Sequence, residues 1–271
     1  MPINEQKVDA TNCNNSVCIS IPHLLIAADS GNKTSVELEL EAGADPNCSD
    51  IYHMTSLMRL ALKSANEEND EIAKLLLKFK ANPNLSDING NTALFMATDR
   101  ANDSYLKILL DGGGNPNSIN NNFYSPLMMA AQIGSITKMK LLLDTGAKVN
   151  FMTHLGSALS VASAKGNIES VKLLIGRGAD LDGILPPLLV ASANNHVDVV
   201  KELLRNGANP NPDNIIKGKS VLDIIQSFGN QEINAAIGEK MTLSEEEYYL
   251  KYHTDNWEGG GLAGDTILES I

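Results

Sequence analysis

The chain has 271 residues, of which 43% are hydrophobic but only 4% aromatic, so one or two domains with a mainly aliphatic core are expected. Its net charge of −12 argues against nucleic acid or an anionic membrane surface as a partner, because both require clustered Lys and Arg. No stretch approaches the roughly 18–20 apolar residues of a membrane span, and residues 1–20 lack the hydrophobic run of a signal peptide.

Residues 1–20 are rich in Asn and small polar residues, which predicts a flexible N-terminal segment. Cys13, Cys18 and Cys48 lie in or near this segment, and an odd number of cysteines fits a reducing compartment rather than a disulfide framework. With His23 they could form a zinc site, but their spacing fits zinc motifs poorly. We therefore predict free thiols, no metal and no cofactor.

From about residue 21 onward the chain repeats itself with a period near 33 residues. Similar closing motifs, such as "LLLKFKANPN", "ILLDGGGNPN" and "ELLRNGANPN", end at Asn47, Asn84, Asn117, Asn150, Asp182 and Asn211. A leucine that opens each unit recurs independently at Leu24, Leu57, Leu94, Leu127, Leu159, Leu188 and Leu222. Two markers with nearly the same period indicate a repeat architecture.

The stretch "SPLMMAAQIGSITKMKLLLDTGAKVN", residues 125–150, shows what one unit contains. Ser125 is a good N-cap, and Pro126 occupies the first turn, where a helix tolerates proline. Gly134 ends this helix, and a second apolar stripe follows before Gly146 supplies a left-handed C-cap. Two short helices and a turn cannot bury their apolar faces alone, so each unit must stack on its neighbours.

This pattern resembles the ankyrin repeat, most clearly in "SPLMMAAQIGS", "SALSVASAKGNIESVKLLIGRGAD" and "LLVASANNHVDVVKELLRNGANPN". The resemblance covers about four-fifths of the chain and implies an all-α solenoid of paired antiparallel helices with projecting hairpin-like turns. We predict a flexible segment at 1–20, an array at 21–239 and an acidic helix and tail at 240–271. The predicted repeats span about 21–49, 50–86, 87–119, 120–152, 153–184, 185–213 and 214–239.

Members of this family usually bind protein partners through the turns and the exposed ends of the first helices, which line a concave face. Transferred to this chain, the turn positions are Tyr52, His53, Met54, Asn89, Asn91, Phe123, Tyr124, His154 and Leu155. The corresponding helix positions are Met128, Lys63, Arg100, Gln132, Ile133 and Lys165. We expect Tyr52, Phe123 and Tyr124 to be anchors, since exposed aromatics are enriched at interface hot spots. The alternative is that these rings pack on neighbouring turns.

The two adjacent methionines are expected to differ. Met129 is predicted to be packed, whereas Met128 is predicted to lie nearer the concave face and to contact a partner. The five histidines are scattered and no catalytic motif is present, so we predict that the protein is not an enzyme and that His196 is a helix N-cap.

The C-terminal segment leaves two interpretations open. "LSEEEYYLKYH" predicts a helix over about 245–253, because Ser244 and Glu247 form a capping-box pattern, and this helix could simply cap the last repeat. Its glutamates also resemble the C-terminal signals of type IV secretion substrates of intracellular bacteria. The predicted function is protein–protein recognition by a cytoplasmic, monomeric scaffold; the alternative is a bacterial effector delivered into host cytoplasm, and an enzyme is a distant third possibility.

Overall fold

The computed structural model describes residues 22–63, 66–100, 103–182, 185–210, 215–216 and 219–241. Within these residues the chain forms seven consecutive helix pairs, which confirms the predicted all-α solenoid. The first six pairs are α1 His23–Ser30 and α2 Lys33–Glu41, α3 Ser56–Ala61 and α4 Glu67–Lys78, α5 Ala93–Asp99 and α6 Asp103–Asp111, α7 Pro126–Ile133 and α8 Ile136–Asp144, α9 Ala158–Lys165 and α10 Ile168–Gly176, and α11 Pro187–Ala193 and α12 Val197–Arg205. The last pair is α13 Val221–Ser227 and α14 over residues 231–241. A short antiparallel ribbon, β1 Ile215–Ile216 and β2 Lys219–Ser220, precedes α13.

The helix boundaries follow local signals in the sequence. The side chains of Thr92, Ser125 and Ser157 each accept a hydrogen bond from the backbone N–H three residues later, which satisfies a donor in the first turn of α5, α7 and α9. Pro126 occupies the first turn of α7, and Gly134 ends it with a φ of 73°. These caps account for helices of only two to three turns.

The helices form two layers. First helices contact first helices of adjacent repeats, and second helices contact second helices, along the array. The first helices approach closely because an alanine faces the contact in successive repeats. Ala28, Ala61, Ala97, Ala131 and Ala162 have no exposed surface. One continuous hydrophobic core therefore runs through the array, as expected when no repeat can bury its faces alone.

Long polar side chains also join adjacent repeats. The Tyr105 hydroxyl donates to the carbonyl of Leu57 at 2.7 Å, from α6 to the preceding α3. The buried Lys138 ammonium donates to the carbonyls of Thr98 at 2.8 Å and Ala97 at 3.2 Å, from α8 to the end of α5. The Lys138 bonds satisfy carbonyl groups in the last turn of α5, where partners within the helix run out, whereas the Tyr105 bond reaches the first turn of α3.

The recurring closing Asn has a structural role. In Asn84, Asn117 and Asn150, the side-chain oxygen accepts a backbone N–H of the next repeat at 2.7–2.8 Å. The side-chain nitrogen of each donates at 3.0 Å to a glycine carbonyl of that repeat. The motif that revealed the period is therefore also a hydrogen-bonded connection between neighbouring repeats.

Two predicted segments lie outside the described residues: the N-terminal segment 1–20 and the acidic segment from 242 onward, which includes Ser244 and Glu247. Among the described helices, none has the length and apolar composition needed to cross a membrane.

Candidate partner-binding surface

Three consecutive turns share one hydrogen-bonded frame. Asp50 accepts the backbone N–H of Tyr52 at 2.8 Å and of Met54 at 2.9 Å through the same carboxylate oxygen. Asp87 makes the equivalent pair of bonds at 2.9 and 2.7 Å, and the Asn120 side-chain oxygen does so at 3.1 and 2.9 Å. A side-chain oxygen at the start of each turn thus holds its backbone, the usual role of Asp and Asn in turns.

The three turns are also bonded to one another. The Ile88 N–H donates to the Tyr52 carbonyl at 3.2 Å, and the Asn121 N–H donates to the Asn89 carbonyl at 2.9 Å. In addition, the Asn120 side-chain amide donates to Asn91 at 2.9 Å. The turns therefore form one connected framework, which fixes the backbone from which their side chains project.

Large apolar side chains project from this framework. Their exposed fractions range from 44% to 57%, and we call them the turn ridge: Ile51, Tyr52, Ile88, Ile119 and Phe123. Half of the described large hydrophobic side chains with such exposure lie here. Scattered exposed hydrophobics are ordinary, but several on adjacent turns are typical of an interaction surface.

Phe123 has an unfavourable backbone conformation. Its φ is 63°, in the left-handed region; the equivalent residues of the adjacent turns are Gly90 and Gly156, and that of the first turn is His53, with a φ of 60°. Glycine enters this region freely, whereas a bulky side chain there costs about 1–2 kcal/mol. The ring contacts the His154 imidazole of the next turn edge-on, with centroids 4.4 Å apart. A strained and half-exposed aromatic is a reason to suspect a function at this position.

The ridge carries little charge because its carboxylates are turned inward. Burial raises the pKa of Asp50, but hydrogen bonds from the Met54 N–H, Arg59 and the Tyr52 N–H outweigh this effect, so the pKa lies below its usual 3.8. Arg59 pairs with Asp50 at 2.5 Å and also with Asp29. The residues exposed at the tips, 51–53, 88–89 and 121–123, are Ile, Tyr, His, Asn and Phe.

The predicted residues at the helix ends differ in solvent exposure and in the contacts they already make. Ile133 is 44% exposed, and Lys165 and Arg100 are exposed. The Arg100 guanidinium lies 3.8 Å from Asp99. Lys63 donates to the Asp29 carbonyl, so this lysine already has a structural partner. Gln132 is half-buried at the end of α7.

The prediction for the two methionines was wrong. Met128 is 1% exposed and belongs to the hydrophobic core, whereas Met129 is half-buried. Met128 is the third residue of α7, and its equivalents Phe95 and Ser160 are buried as well. The contacts of α7 with α5 and α9 cover this side of the helix. Of the two side chains, Met129 has the surface that a partner could contact.

The ring of Tyr124 is also less available than predicted. Tyr124 is half-buried and packs against the core, as does Met54 at the equivalent position of its turn. Packing on the array, the alternative considered for the three turn aromatics, therefore holds for Tyr124. Tyr52 and Phe123 remain exposed, as do His53 and His154, while Leu155 is half-buried.

The two predicted asparagines belong to the frame. Asn89 is exposed and uses its carbonyl to bind the next turn, whereas Asn91 is half-buried and its side-chain amide donates to Asp87 at 3.2 Å. Sequence reasoning missed Ile51, Ile88 and Ile119. For Ile119 the sequence did contain a signal: the equivalent residues of the two preceding turns, Ser49 and Ser86, are polar, so a large apolar residue at this turn position is unusual.

His196 does precede α12, but its side chain makes no cap hydrogen bond. One ring nitrogen instead lies 3.1 Å from the carbonyl of Ala164 in the preceding repeat. Cys48 is a buried free thiol, and burial, with a smaller contribution from Asp45, raises its pKa to about 12. No group of three metal-ligating side chains occurs in the part of the chain that the structure describes.

The chain is similar to known proteins in both sequence and structure. A family model described as ankyrin repeats matches in three overlapping copies, at residues 24–120, 100–184 and 159–240. An ankyrin repeat protein of Acanthamoeba polyphaga mimivirus is 33% identical over 96 residues, which cover 35% of this chain and 55% of the relative. The chain thus spans about half the length of that relative. The human ASB11 ankyrin repeat domain matches with a TM-score of 0.65 and 26% identity, over 80% of this chain and 96% of that domain.

Proposed function

Because the chain belongs to the ankyrin-repeat family, whose members are generally protein-interaction modules, we propose that it is a non-enzymatic scaffold that binds a protein partner through the turn ridge and the adjacent concave side of the first helices. The observation that carries the proposal is the ridge itself: five large apolar side chains exposed on a hydrogen-bonded frame.

The frame explains why this surface is suited to binding. Binding to turns whose backbone is already ordered costs less conformational entropy than binding that must first order them. Burying a half-exposed Ile, Tyr or Phe contributes roughly 25 cal/mol for each Å² of apolar surface removed from water. Turns on a rigid scaffold are common sites of recognition for the same reason.

The helix ends extend the surface toward the concave face. Ile133 and the half-buried Met129 add apolar area on α7, and methionine adapts readily to the shape of a partner. Lys165 and Arg100 add charge at the periphery, where ionic contacts affect orientation and association rate more than affinity. The buried free thiol of Cys48 supports placing this function in a reducing compartment such as the cytoplasm.

Pull-down from a cell lysate, quantified by mass spectrometry, tests the proposal with three baits, each spanning the 271 residues. The ridge variant combines Tyr52→Asn, Ile88→Asn and Phe123→Gly, each of which installs a residue found at the equivalent position of another turn. The control bait carries Leu38→Lys, at an exposed leucine of α2.

We expect proteins that the wild-type and Leu38→Lys baits both retain and that the ridge variant loses. Identical sets of retained proteins for all three baits would show that the ridge does not bind the partner. Circular dichroism melting of each bait establishes that the variants are folded, so a loss of binding cannot be attributed to unfolding.

A further inference from the structure

The last two second helices, α12 and α14, leave a groove of about 330 Å³ between them. Its lining residues are Lys201, Leu204, Arg205, Ala236, Glu239 and Lys240. Small residues of α14 account for the groove, because Ala236 and Gly238 occupy the positions that Leu141 and Leu143 hold in α8. A Cβ atom at Gly238 would meet no described residue within 4 Å. The buried Leu204 and the half-buried Ala236 form an apolar floor with room above it for a further chain segment.

The rim of the groove is basic, with three cations and one carboxylate around the apolar floor. Lys201 is paired with Glu232 at 2.5 Å, whereas Arg205 lies 3.8 Å from Glu202 with 72% of its side chain exposed. Arg205 and Lys240 therefore supply most of the positive charge that a ligand could meet. Opposite charges attract more strongly beside an apolar surface than in open water. The groove thus favours a ligand that carries carboxylates next to apolar groups.

A segment of this composition follows the groove directly in the chain. Residues 244–252 read "SEEEYYLKY", in which three consecutive glutamates precede three tyrosines and a leucine. In the helix predicted over about 245–253, the first glutamate and all three tyrosines share one face: Glu245, Tyr248, Tyr249 and Tyr252. We propose that this segment docks in the groove between α12 and α14, with its glutamates toward the basic rim and its rings toward the apolar floor.

The short tether favours this segment over an acidic segment of a separate protein. The helix α14 ends at residue 241, and Ala236 lies only about 7.5 Å back along it at 1.5 Å per residue. Residues 242–244 can span up to about 10–11 Å, so Glu245 can reach every part of the groove. A short linker also gives an effective concentration of the order of millimolar, at which weak individual contacts suffice to fill a site.

Hydrogen exchange followed by mass spectrometry tests the proposal on the 271-residue chain. We expect the amides of residues 245–252 to exchange at least about tenfold more slowly in the chain than in a synthetic peptide of residues 242–257. An isolated helix of this length is marginal in water, so protection of this size requires docking.

A charge-reversal series locates the docking site. Arg205→Glu combined with Lys240→Glu should remove the protection, because the glutamates of the segment would then face carboxylates. Adding Glu245→Arg and Glu246→Arg to this variant should restore the protection, measured against a peptide with the same two substitutions.

The matched control is Lys140→Glu combined with Lys172→Glu. These lysines are exposed on the second helices α8 and α10, so the control makes the same change in charge away from the groove. It should leave the protection of residues 245–252 unchanged. Slow exchange of the buried amides of α5 to α10 in every variant establishes that the array is folded.

Each other result contradicts a defined part of the inference. Exchange in the wild-type chain as fast as in the peptide would overturn the docking itself. Protection that survives the groove variant, or that the control also loses, would overturn the site, and failure of the two arginines to restore it would overturn the charge pairing. Protection that rises with protein concentration would show that a second copy supplies the segment. The proposed function is tested separately, because the turn ridge and this groove lie on different parts of the array.

Discussion

Replacing Lys138 by Met removes the ammonium group that joins the fourth repeat to the third while keeping a long apolar side chain. Lys138 is buried and donates to the carbonyls of Ala97 and Thr98 in the last turn of α5. That helix ends at Arg100 in an extended conformation, without the glycine that ends α7 and α9. The lysine therefore replaces the usual C-cap as a partner for these carbonyls.

The expected loss of stability follows from the hydrogen bonds that are removed and from the carbonyl groups that methionine leaves without a partner. A hydrogen bond from a charged donor contributes about 1.5–3 kcal/mol, and a buried carbonyl without a partner costs about 1–3 kcal/mol. Removing a buried charge recovers part of this, since burial disfavours the ammonium and lowers the pKa of Lys138. We expect Lys138→Met to lower the free energy of unfolding by about 2 kcal/mol, which corresponds to a melting temperature lower by about 4–8 °C for an array of this size.

Thermal unfolding followed by circular dichroism measures the effect, with Lys140→Met as control because Lys140 is exposed on the same helix. The control should stay within about 0.5 kcal/mol of wild type. The lowered pKa of Lys138 means that the native chain releases its proton before the unfolded chain does, so wild-type stability relative to Lys138→Met rises as the pH approaches 10.5. A melting temperature for Lys138→Met equal to that of the control would refute the capping role.

Three further measurements probe other parts of the array. Asp50→Asn should lower the free energy of unfolding by about 1–2 kcal/mol at pH 7, because the ion pair with Arg59 is lost while a side-chain oxygen remains to hold the turn. Since the pKa of Asp50 is lowered in the native chain, this difference should shrink as the pH falls below about 4, which chemical unfolding at a series of pH values can measure. Iodoacetamide should modify Cys48 at least about tenfold more slowly in the native than in the urea-unfolded chain, as peptide mass spectrometry can show, and equal rates would mean that the thiol is accessible. Ser163→Ala should leave stability unchanged or raise it by up to about 1 kcal/mol in urea titrations, because the Ser163 hydroxyl is buried without a hydrogen-bond partner, and a clear loss of stability would reveal a partner for it.

The repeat architecture was determined by the sequence alone. Ser125 and Pro126 marked the start of a helix, and Gly134 marked its end, because these residues act through their own backbone within a few positions. The closing Asn and the opening Leu recurred with the period of the stack, so the number of repeats could be counted before any contact was known.

The candidate surface was predicted less completely. Tyr52 and Phe123 were expected to be exposed and are exposed, yet Tyr124 packs against the core and Ile88 was not singled out. Residue type and spacing identify a turn. They do not say which of its side chains point outward, because that depends on the conformation of each backbone position.

Only the tertiary structure decided the places of Met128, Met129, Lys138 and Phe123. A 3.6-residue period shows which residues share a helix face, but the neighbouring repeat determines which face is covered, and it covers Met128. Likewise, Lys138 lies on a helix whose sequence pattern places lysine in solvent, until the end of α5 supplies two carbonyl acceptors. The positive φ of Phe123 arises in the same way, because hydrogen bonds from the frame, rather than the preference of the residue itself, hold the turn in shape.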